Sequence, residues 1–437
     1  MSYLSCHDGV TVRQVGEVFL ASKPEIGAFS VLREEELLPF AIFQQCNNNF
    51  DELSSHYLRA GMPDSHEIAQ GFMDMLAQDG WLRRSYSLND GSPLETVYFT
   101  ITKRCNLFCP YCYLGRNHNE QQFMSLAEAD NYLTLIQAEN PNSHIIITGG
   151  EPLIHRNFLS IVTLIGQKDL RCAVLTNGTL LTKEMASRLS TCEHISYIQI
   201  SLDGITQDVH NRTRAGSFER TMHGINNAIA AGLPFTLAPT IHSGNLHQQV
   251  EIARFAVRNG GYYTPNNFRD FPHATPAGLS LTGASLYSTI RDVSNHLREE
   301  FGLETLMRIE KNTSLRLNNP VPDRDKSVCG IGHMVIDINW NGDVYPCNLL
   351  RESNFLLGNL RVNAFSDIWD RVNDLGIRTR AFDIQKCSSC EVISQCAGGC
   401  RAAAYYAYGS FNREDDLCDS LHASHVDKQI RSRQSSD

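Results

Sequence analysis

The stretch TKRCNLFCPYCYLG, residues 102–115, places Cys105, Cys109 and Cys112 within eight residues. It follows TVYFTIT (96–102), whose β-branched and aromatic residues predict a strand. Three thiolates at this spacing can wrap one face of a metal centre. A structural zinc site needs four closed ligands. The nearest further candidate, His118, stands six residues past Cys112. A centre held by three protein ligands keeps one position open for a substrate or cofactor. In a [4Fe–4S] cluster that position is one iron without a protein ligand. The fold must therefore present this loop at a strand end, with one side open.

The surrounding sequence provides such strand ends. From about residue 96, candidate strands TVYFTIT (96–102), HIIIT (144–148), CAVLT (172–176), YIQISL (197–202) and FTLAPTI (235–241) alternate with helical patterns. Ser125 and Glu128 form a capping-box signal for the helix that begins SLAEAD. The pattern SFERTMHGINNAIAAG stops on Gly232. This α/β alternation predicts a parallel sheet curled as in a (β/α) barrel, with the chemistry at the C-terminal strand ends.

A chain of 437 residues exceeds the size of one core, so two or three domains are expected. Residues 1–90 open with the β-prone runs GEVFLAS and GAFSVLR. Three helical patterns follow, EELLPFAIFQQC, FDELSSHYLRAG and SHEIAQGFMDMLAQDGWL. The polar SLNDGSP (87–93) reads as a linker. Residues 96–310 form the expected barrel, and 325–425 a cysteine-dense, loop-rich module of the type held by metal rather than by a large core. No apolar run approaches a membrane span and the N-terminus lacks a signal-peptide layout, which predicts a cytoplasmic protein without membrane contact.

Net charge is −10. Residues 1–95 hold 14 Asp/Glu against 6 Lys/Arg, a balance of −8. That disfavours nucleic acid as a partner. It fits either a solvated acidic surface or an acidic face for a basic peptide. Of the fourteen cysteines, ten fall in patterned groups, and a reducing compartment argues for cluster ligation over disulfides. Cys6, Cys46, Cys172 and Cys192 stand apart, and Cys172, beside AVLT, is expected simply to be buried.

CNLFCPYC resembles the CxxxCxxC signature of the radical S-adenosylmethionine (SAM) superfamily, with Tyr111 at the family's aromatic position before the last cysteine. The resemblance implies a partial (β/α)6 TIM-like barrel. It also implies a [4Fe–4S] cluster whose open iron is chelated by SAM, and cleavage of SAM to a 5′-deoxyadenosyl radical. Gly149, Gly150 and Glu151 of IIITGGEP match the motif that binds the SAM amino group. Glycines permit close backbone approach, and a carboxylate can accept from an ammonium. Asn177 in LTNGT and Ser201 in ISLDG resemble positions that contact the ribose or methionine of SAM, and Arg214 resembles one that meets a carboxylate. Each of these three is equally a polar residue that could cap a loop.

Cys329 and Cys347, then Cys387-x2-Cys390-x5-Cys396-x3-Cys400, and finally Cys418 resemble the SPASM extension of peptide- and protein-modifying radical SAM enzymes. Gly342 falls at that pattern's glycine. The resemblance implies that Cys387, Cys390, Cys396 and Cys418 hold one auxiliary [4Fe–4S] cluster and that Cys329, Cys347 and Cys400 hold another, three clusters in all. The second set has three thiols, so its fourth iron is either open or completed by another residue. Asn348 stands where sulfatase-maturing relatives carry an aspartate general base. Asparagine cannot take a proton in that role, and no catalytic residue is identified.

Residues 10–85 resemble the small winged-helix-like α+β domain related to the peptide chaperone of pyrroloquinoline quinone biosynthesis. There a leader peptide adds as a strand to a sheet edge. Together these resemblances imply a maturase that crosslinks a ribosomally made precursor peptide (C–C, C–S or C–O), fed by an electron donor such as a flavodoxin or ferredoxin. The alternatives are a maturase of a folded protein (sulfatase or quinoprotein type) and a peptide epimerase. A redox sensor using a winged helix on DNA is a non-enzyme alternative.

Overall fold

The computed structural model describes residues 9–24, 28–45, 50–59, 65–79, 81, 94–115, 122–269, 271, 278–302, 305, 329–332, 334–375, 377, 379–396 and 398–434. SLNDGSP, His118, Cys6 and Cys46 lie outside them.

The N-terminal region is a three-stranded antiparallel sheet, β1 (Thr11–Val15), β2 (Val18–Lys23) and β3 (Ala28–Leu32), followed by α1 (Leu37–Gln45), α2 (Phe50–Arg59) and α3 (Ser65–Gln78). β1 is a polar, largely exposed edge strand, so hydropathy does not signal it. Period-2 alternation gives the sheet two faces. Ala21, Ala28 and Leu32 meet Phe40, Phe43, Leu53 and Leu76 of the helices. Leu20, Phe29 and Val31 on the other face pack against Val392 and Val426 of the C-terminal region.

The main sheet contains β4 (Thr96–Thr102), β5 (His144–Gly149), β6 (Arg171–Thr176), β7 (Ile195–Ile200) and β8 (Phe235–Leu237). β9 (Thr240–Ile241), β10 (Tyr262–Tyr263) and β11 (Asn266–Asn267) follow in the chain, then β12 (Val335–Asn339), β13 (Asp343–Tyr345) and β14 (Gly358–Asn359). Its order is β10-β8-β7-β6-β5-β4-β12-β13-β14. The run from β10 to β4 is parallel, the six-stranded unit expected of the barrel. FTLAPTI, expected as one strand, is two. Pro239 has no N–H to donate, and beyond it β9 leaves the main sheet to pair with β11.

Helices cover one face of this sheet. They include α4 (Leu126–Glu139), capped by the expected Ser125–Glu128 box, and α5 (Phe218–Ala230), which ends before Gly232. Phe99, Ile147, Val174, Ile198, Leu237 and the buried Cys172 share the core beneath them.

The cysteine-rich region is continuous with the barrel. β12 runs parallel to β4 over five residues, Val335↔Thr96 to Asn339↔Thr100. Ile336, Ile338 and Val344 therefore enter the barrel core. Gly342, at φ +85°, turns the chain from β12 to β13 where an added Cβ would lie 2.8 Å from the Tyr132 hydroxyl. A smaller cluster of Ile331, Leu350, Phe355, Ile377 and Ala402 surrounds Cys329, Cys347 and Cys400. Among the described residues, no helix is long and apolar enough to cross a membrane.

Candidate functional site

Strand β4 ends at Thr102, whose hydroxyl donates to the Gln122 carbonyl (2.7 Å) and accepts from the Arg104 amide (3.0 Å). This fixes the start of the cysteine loop. The Cys112 amide donates to the Cys109 carbonyl (3.2 Å), and the Gly115 amide to that of Cys112 (3.0 Å). The three cysteines are partly buried. Burial pushes the Cys105 thiol up to about 12 and Cys109 to about 11, and the thiols raise one another further. Among the described residues no three His, Cys, Asp or Glu side chains are drawn together closely enough to hold a metal ion. Thiols that burial keeps protonated become ligands when a cation stabilises the thiolate, which is the chemistry a cluster would supply here.

Gly149 and Gly150 lie beside this loop at the end of β5. An added Cβ would stand 2.3 Å from the Thr102 carbonyl oxygen at Gly149, and 2.4 Å from that of Lys103 at Gly150. The Gly150 and Glu151 amides donate to the Thr102 and Arg104 carbonyls (2.9 Å each). The space left by these glycines is thus taken by the backbone leading to Cys105. Glu151 is fully buried. Its carboxylate accepts from the Leu153 amide (3.0 Å), the Thr176 hydroxyl (2.7 Å) and the Asn177 amide (2.7 Å). Burial raises it to about 6 against those donors.

Asn177, at the end of β6, also faces the cysteine loop. Its Nδ2 donates to Asn106 Oδ1 (2.9 Å) and lies 3.9 Å from Cys105 Sγ. Ser201, just past β7, is partly exposed, and its amide donates to the Thr176 carbonyl (3.0 Å). Two residues on, Asp203 is fully buried and organises the site. It accepts from the Tyr111 hydroxyl, the Thr213 hydroxyl (2.8 Å), Arg214 Nε (3.0 Å) and the Thr240 amide (3.0 Å). Burial pushes its carboxyl up, but Arg214 and the Tyr111 hydroxyl outweigh that and hold it below the usual carboxylate range. The Arg214 guanidinium also lies 5.6 Å over the Tyr111 ring. Sequence reasoning passed over Asp203, because SLDG reads locally as a turn.

Seven further cysteines form the two sets that the resemblance implies. Cys387, Cys390, Cys396 and Cys418 line one cavity of about 310 Å³. Burial raises Cys387 and Cys396 to about 12 and Cys390 to about 11, with the neighbouring thiols adding to it. Burial likewise raises Cys347, and then Cys329 and Cys400 raise it further. The Cys400 amide donates to Asp415 Oδ2 (2.7 Å), and Asp415 is held by Arg269 Nη1 (2.8 Å). Between the barrel and this module lies Arg351. Its Nη2 donates to Thr100 (2.7 Å) and Asp337 (2.9 Å), and its Nε to the Asn348 carbonyl (3.0 Å).

Two family models match the chain: the radical SAM superfamily over residues 99–256, and the SPASM iron–sulfur cluster-binding domain over 329–396. The AdoMet-dependent heme synthase of Nitratidesulfovibrio vulgaris is 30% identical over 353 residues, 76% of this chain and 94% of that protein. The mycofactocin maturase MftC of Mycobacterium tuberculosis is 25% identical over 331 residues, 74% of this chain and 82% of its own. Among solved structures, Streptococcus suis SuiB bound to its precursor peptide SuiA superposes with a TM-score of 0.61 at 17% identity, covering 94% of this chain and 98% of that one.

Proposed function

Because this chain belongs to the radical SAM superfamily and carries an iron–sulfur cluster-binding SPASM domain, it is an enzyme, and we propose that it matures a ribosomally made precursor peptide by installing an intramolecular crosslink. One observation carries this reading: the fold shared with SuiB extends over 94% of the chain. A match of that extent takes in most of the N-terminal sheet and helices, whereas the heme synthase match covers 76%. In this reading the N-terminal region is the peptide-recognition domain. A leader segment adds to an edge of the β1–β3 sheet through main-chain hydrogen bonds, drawn by the −8 balance of residues 1–95.

Cys105, Cys109 and Cys112 would hold the SAM-binding [4Fe–4S] cluster. Cys387, Cys390, Cys396 and Cys418 would hold one auxiliary cluster, and Cys329, Cys347 and Cys400 the other. When bound, SAM and its cluster supply a 5′-deoxyadenosyl radical that takes a hydrogen atom from a substrate carbon. The chain's own residues position that chemistry. Asp203 fixes Tyr111 and Arg214, which would line the SAM site. Glu151 and Asn177 hold the cysteine loop at the strand ends, and Gly149, Gly150 and Ser201 border the SAM site. Crosslinking removes two hydrogens from the peptide and is an oxidation, so further redox centres suit it better than they suit epimerisation. A flavodoxin or ferredoxin would deliver the first electron.

The test is the intact mass of a candidate precursor peptide after anaerobic co-expression. A loss of two hydrogens per crosslink is expected with this chain and not with the Cys105→Ala/Cys109→Ala/Cys112→Ala variant. An unchanged mass would overturn the crosslinking reading for that peptide. A second reading, an iron-porphyrin precursor as substrate, is favoured by the higher identity to the heme synthase. SAM-dependent change in the mass of iron coproporphyrin would support it.

A further inference from the structure

Phe268, Phe271, Leu281, Leu417 and Tyr406 wall a pocket of about 220 Å³ between the barrel and the cysteine-rich module, and Ala403 and Ala407 lie on its floor. Its position follows from two short paths. The Phe268 ring stands edge-on to the Tyr111 ring, 6.4 Å between centroids, and Tyr111 lies inside the cysteine loop. The floor is one face of the helix Arg401–Tyr408, whose N-cap is Cys400. Positions three and seven residues past Cys400 share its side of that helix, and these are the two alanines. One wall residue of the pocket thus touches the cysteine loop, and its floor belongs to the helix that Cys400 caps.

Its lining specifies what fits. The charges at its edge are satisfied by one another: Arg269 donates to both Asp415 oxygens (2.8 and 3.3 Å) and pairs with Asp416. The Tyr406 hydroxyl is bonded to Glu352 (2.6 Å). Arg269, Ser280 and Asp416 share the lining, and the Phe271 and Tyr406 rings (5.3 Å apart, 79° between planes) offer aromatic edges and faces. The volume is below the ~300–1,000 Å³ of pockets that take whole small-molecule ligands. It suits one large side chain rather than a macrocycle.

We propose that this pocket binds an aromatic side chain of the substrate peptide. The inference rests on the peptide reading above. It is tested with the reconstituted holoenzyme and two probes, N-acetyl-phenylalanine amide and N-acetyl-alanine amide, by ligand-observed NMR. The variant is Ala407→Trp, which fills the pocket from an exposed position. Iron content equal to wild type verifies that the variant is folded, and Leu281→Ala, which enlarges the pocket, provides a second variant. Burying an aromatic ring predicts at least tenfold tighter binding of the phenylalanine amide. That preference should fall below threefold in Ala407→Trp and shift toward the larger N-acetyl-tryptophan amide in Leu281→Ala. Equal affinity for the first two probes in wild type, or a preference untouched by both variants, would overturn the assignment. The two failures are distinguishable. If iron coproporphyrin is turned over and no peptide is modified, the peptide reading falls and the substrate assignment with it, even where the aromatic preference is present. A precursor peptide modified equally by wild type and Ala407→Trp overturns the pocket and leaves the peptide reading intact.

Discussion

Arg13 and Glu391, 378 residues apart in sequence, meet in an ion pair in which Nε and Nη2 each reach a carboxylate oxygen. His422 Nε2 lies 3.1 Å from the same carboxylate. Glu391 directly follows Cys390, so the N-terminal sheet is seated on the segment that carries one candidate cluster ligand. The Arg13 side chain is 49% exposed, which limits the pair to about 0–1 kcal/mol. Burial of Leu20, Phe29 and Val31 against Val392 should contribute more. Arg13→Gln is therefore expected to change hydrogen-exchange protection of β2 and β3 only slightly. Val392→Asp, which places a charge in the apolar seat, should lower it by roughly 3 kcal/mol. The reverse order would assign the docking to the ion pair.

Asp203 compensates a buried guanidinium and holds the Tyr111 hydroxyl, so removing its charge strands both. Asp203→Asn should destabilise the protein by roughly 3–5 kcal/mol. Tyr111→Phe loses one hydrogen bond, about 1–2 kcal/mol. Denaturant unfolding and SAM titration of the two variants check this. Equal effects would show that Asp203 does not organise the site.

Gly150→Ala must displace the backbone carbonyls of Lys103 and Arg104, 2.4 and 2.5 Å from the new Cβ. At least tenfold loss of SAM cleavage is expected, with reduced iron content and an unchanged far-UV circular dichroism spectrum. Gly232→Ala meets open space at φ +63° and should cost about 1 kcal/mol of stability without touching iron content.

Glu151 gives a pH dependence of definite sign. Its folded value, about 6, is above the ~4.3 of an unfolded chain. The folded state therefore favours the protonated form. That contribution is fully present below pH ~4.3 and is lost as pH rises through about 6, amounting to about 2 kcal/mol. Thermal melts of the iron-free protein from pH 4 to 7.5 should show a steeper fall for wild type than for Glu151→Gln. Parallel curves would remove Glu151 from the account.

Three [4Fe–4S] clusters would bring about twelve iron atoms per chain. The Cys105/Cys109/Cys112 triple alanine variant should then retain about eight, and lose SAM cleavage altogether. Iron analysis of that variant alongside Cys329→Ala/Cys347→Ala/Cys400→Ala assigns each set. A triple variant with the full iron complement would mean that these three thiols hold none of it.

Much of this protein was legible in local sequence. Strands β4 to β7 follow from runs of β-branched residues, and α4 from Ser125 and Glu128, because periodicity and capping act over a few residues. The first three cysteines are legible for the same reason, since Cys105, Cys109 and Cys112 share one short loop, whereas Cys329, Cys347 and Cys400 are far apart in the chain and their grouping is what the family resemblance implies. Other features depended on groups distant in sequence. Asp203 reaches Tyr111, 92 residues before it, and Arg214, 11 after. The joining of β12 to β4 and the docking of Arg13 on Glu391 leave no periodic trace in either partner. Gly149 and Gly150 were legible as places of close backbone approach. The tertiary structure adds one partner in that approach, the carbonyls of Thr102, Lys103 and Arg104, because only packed neighbours decide what occupies the space a missing side chain leaves.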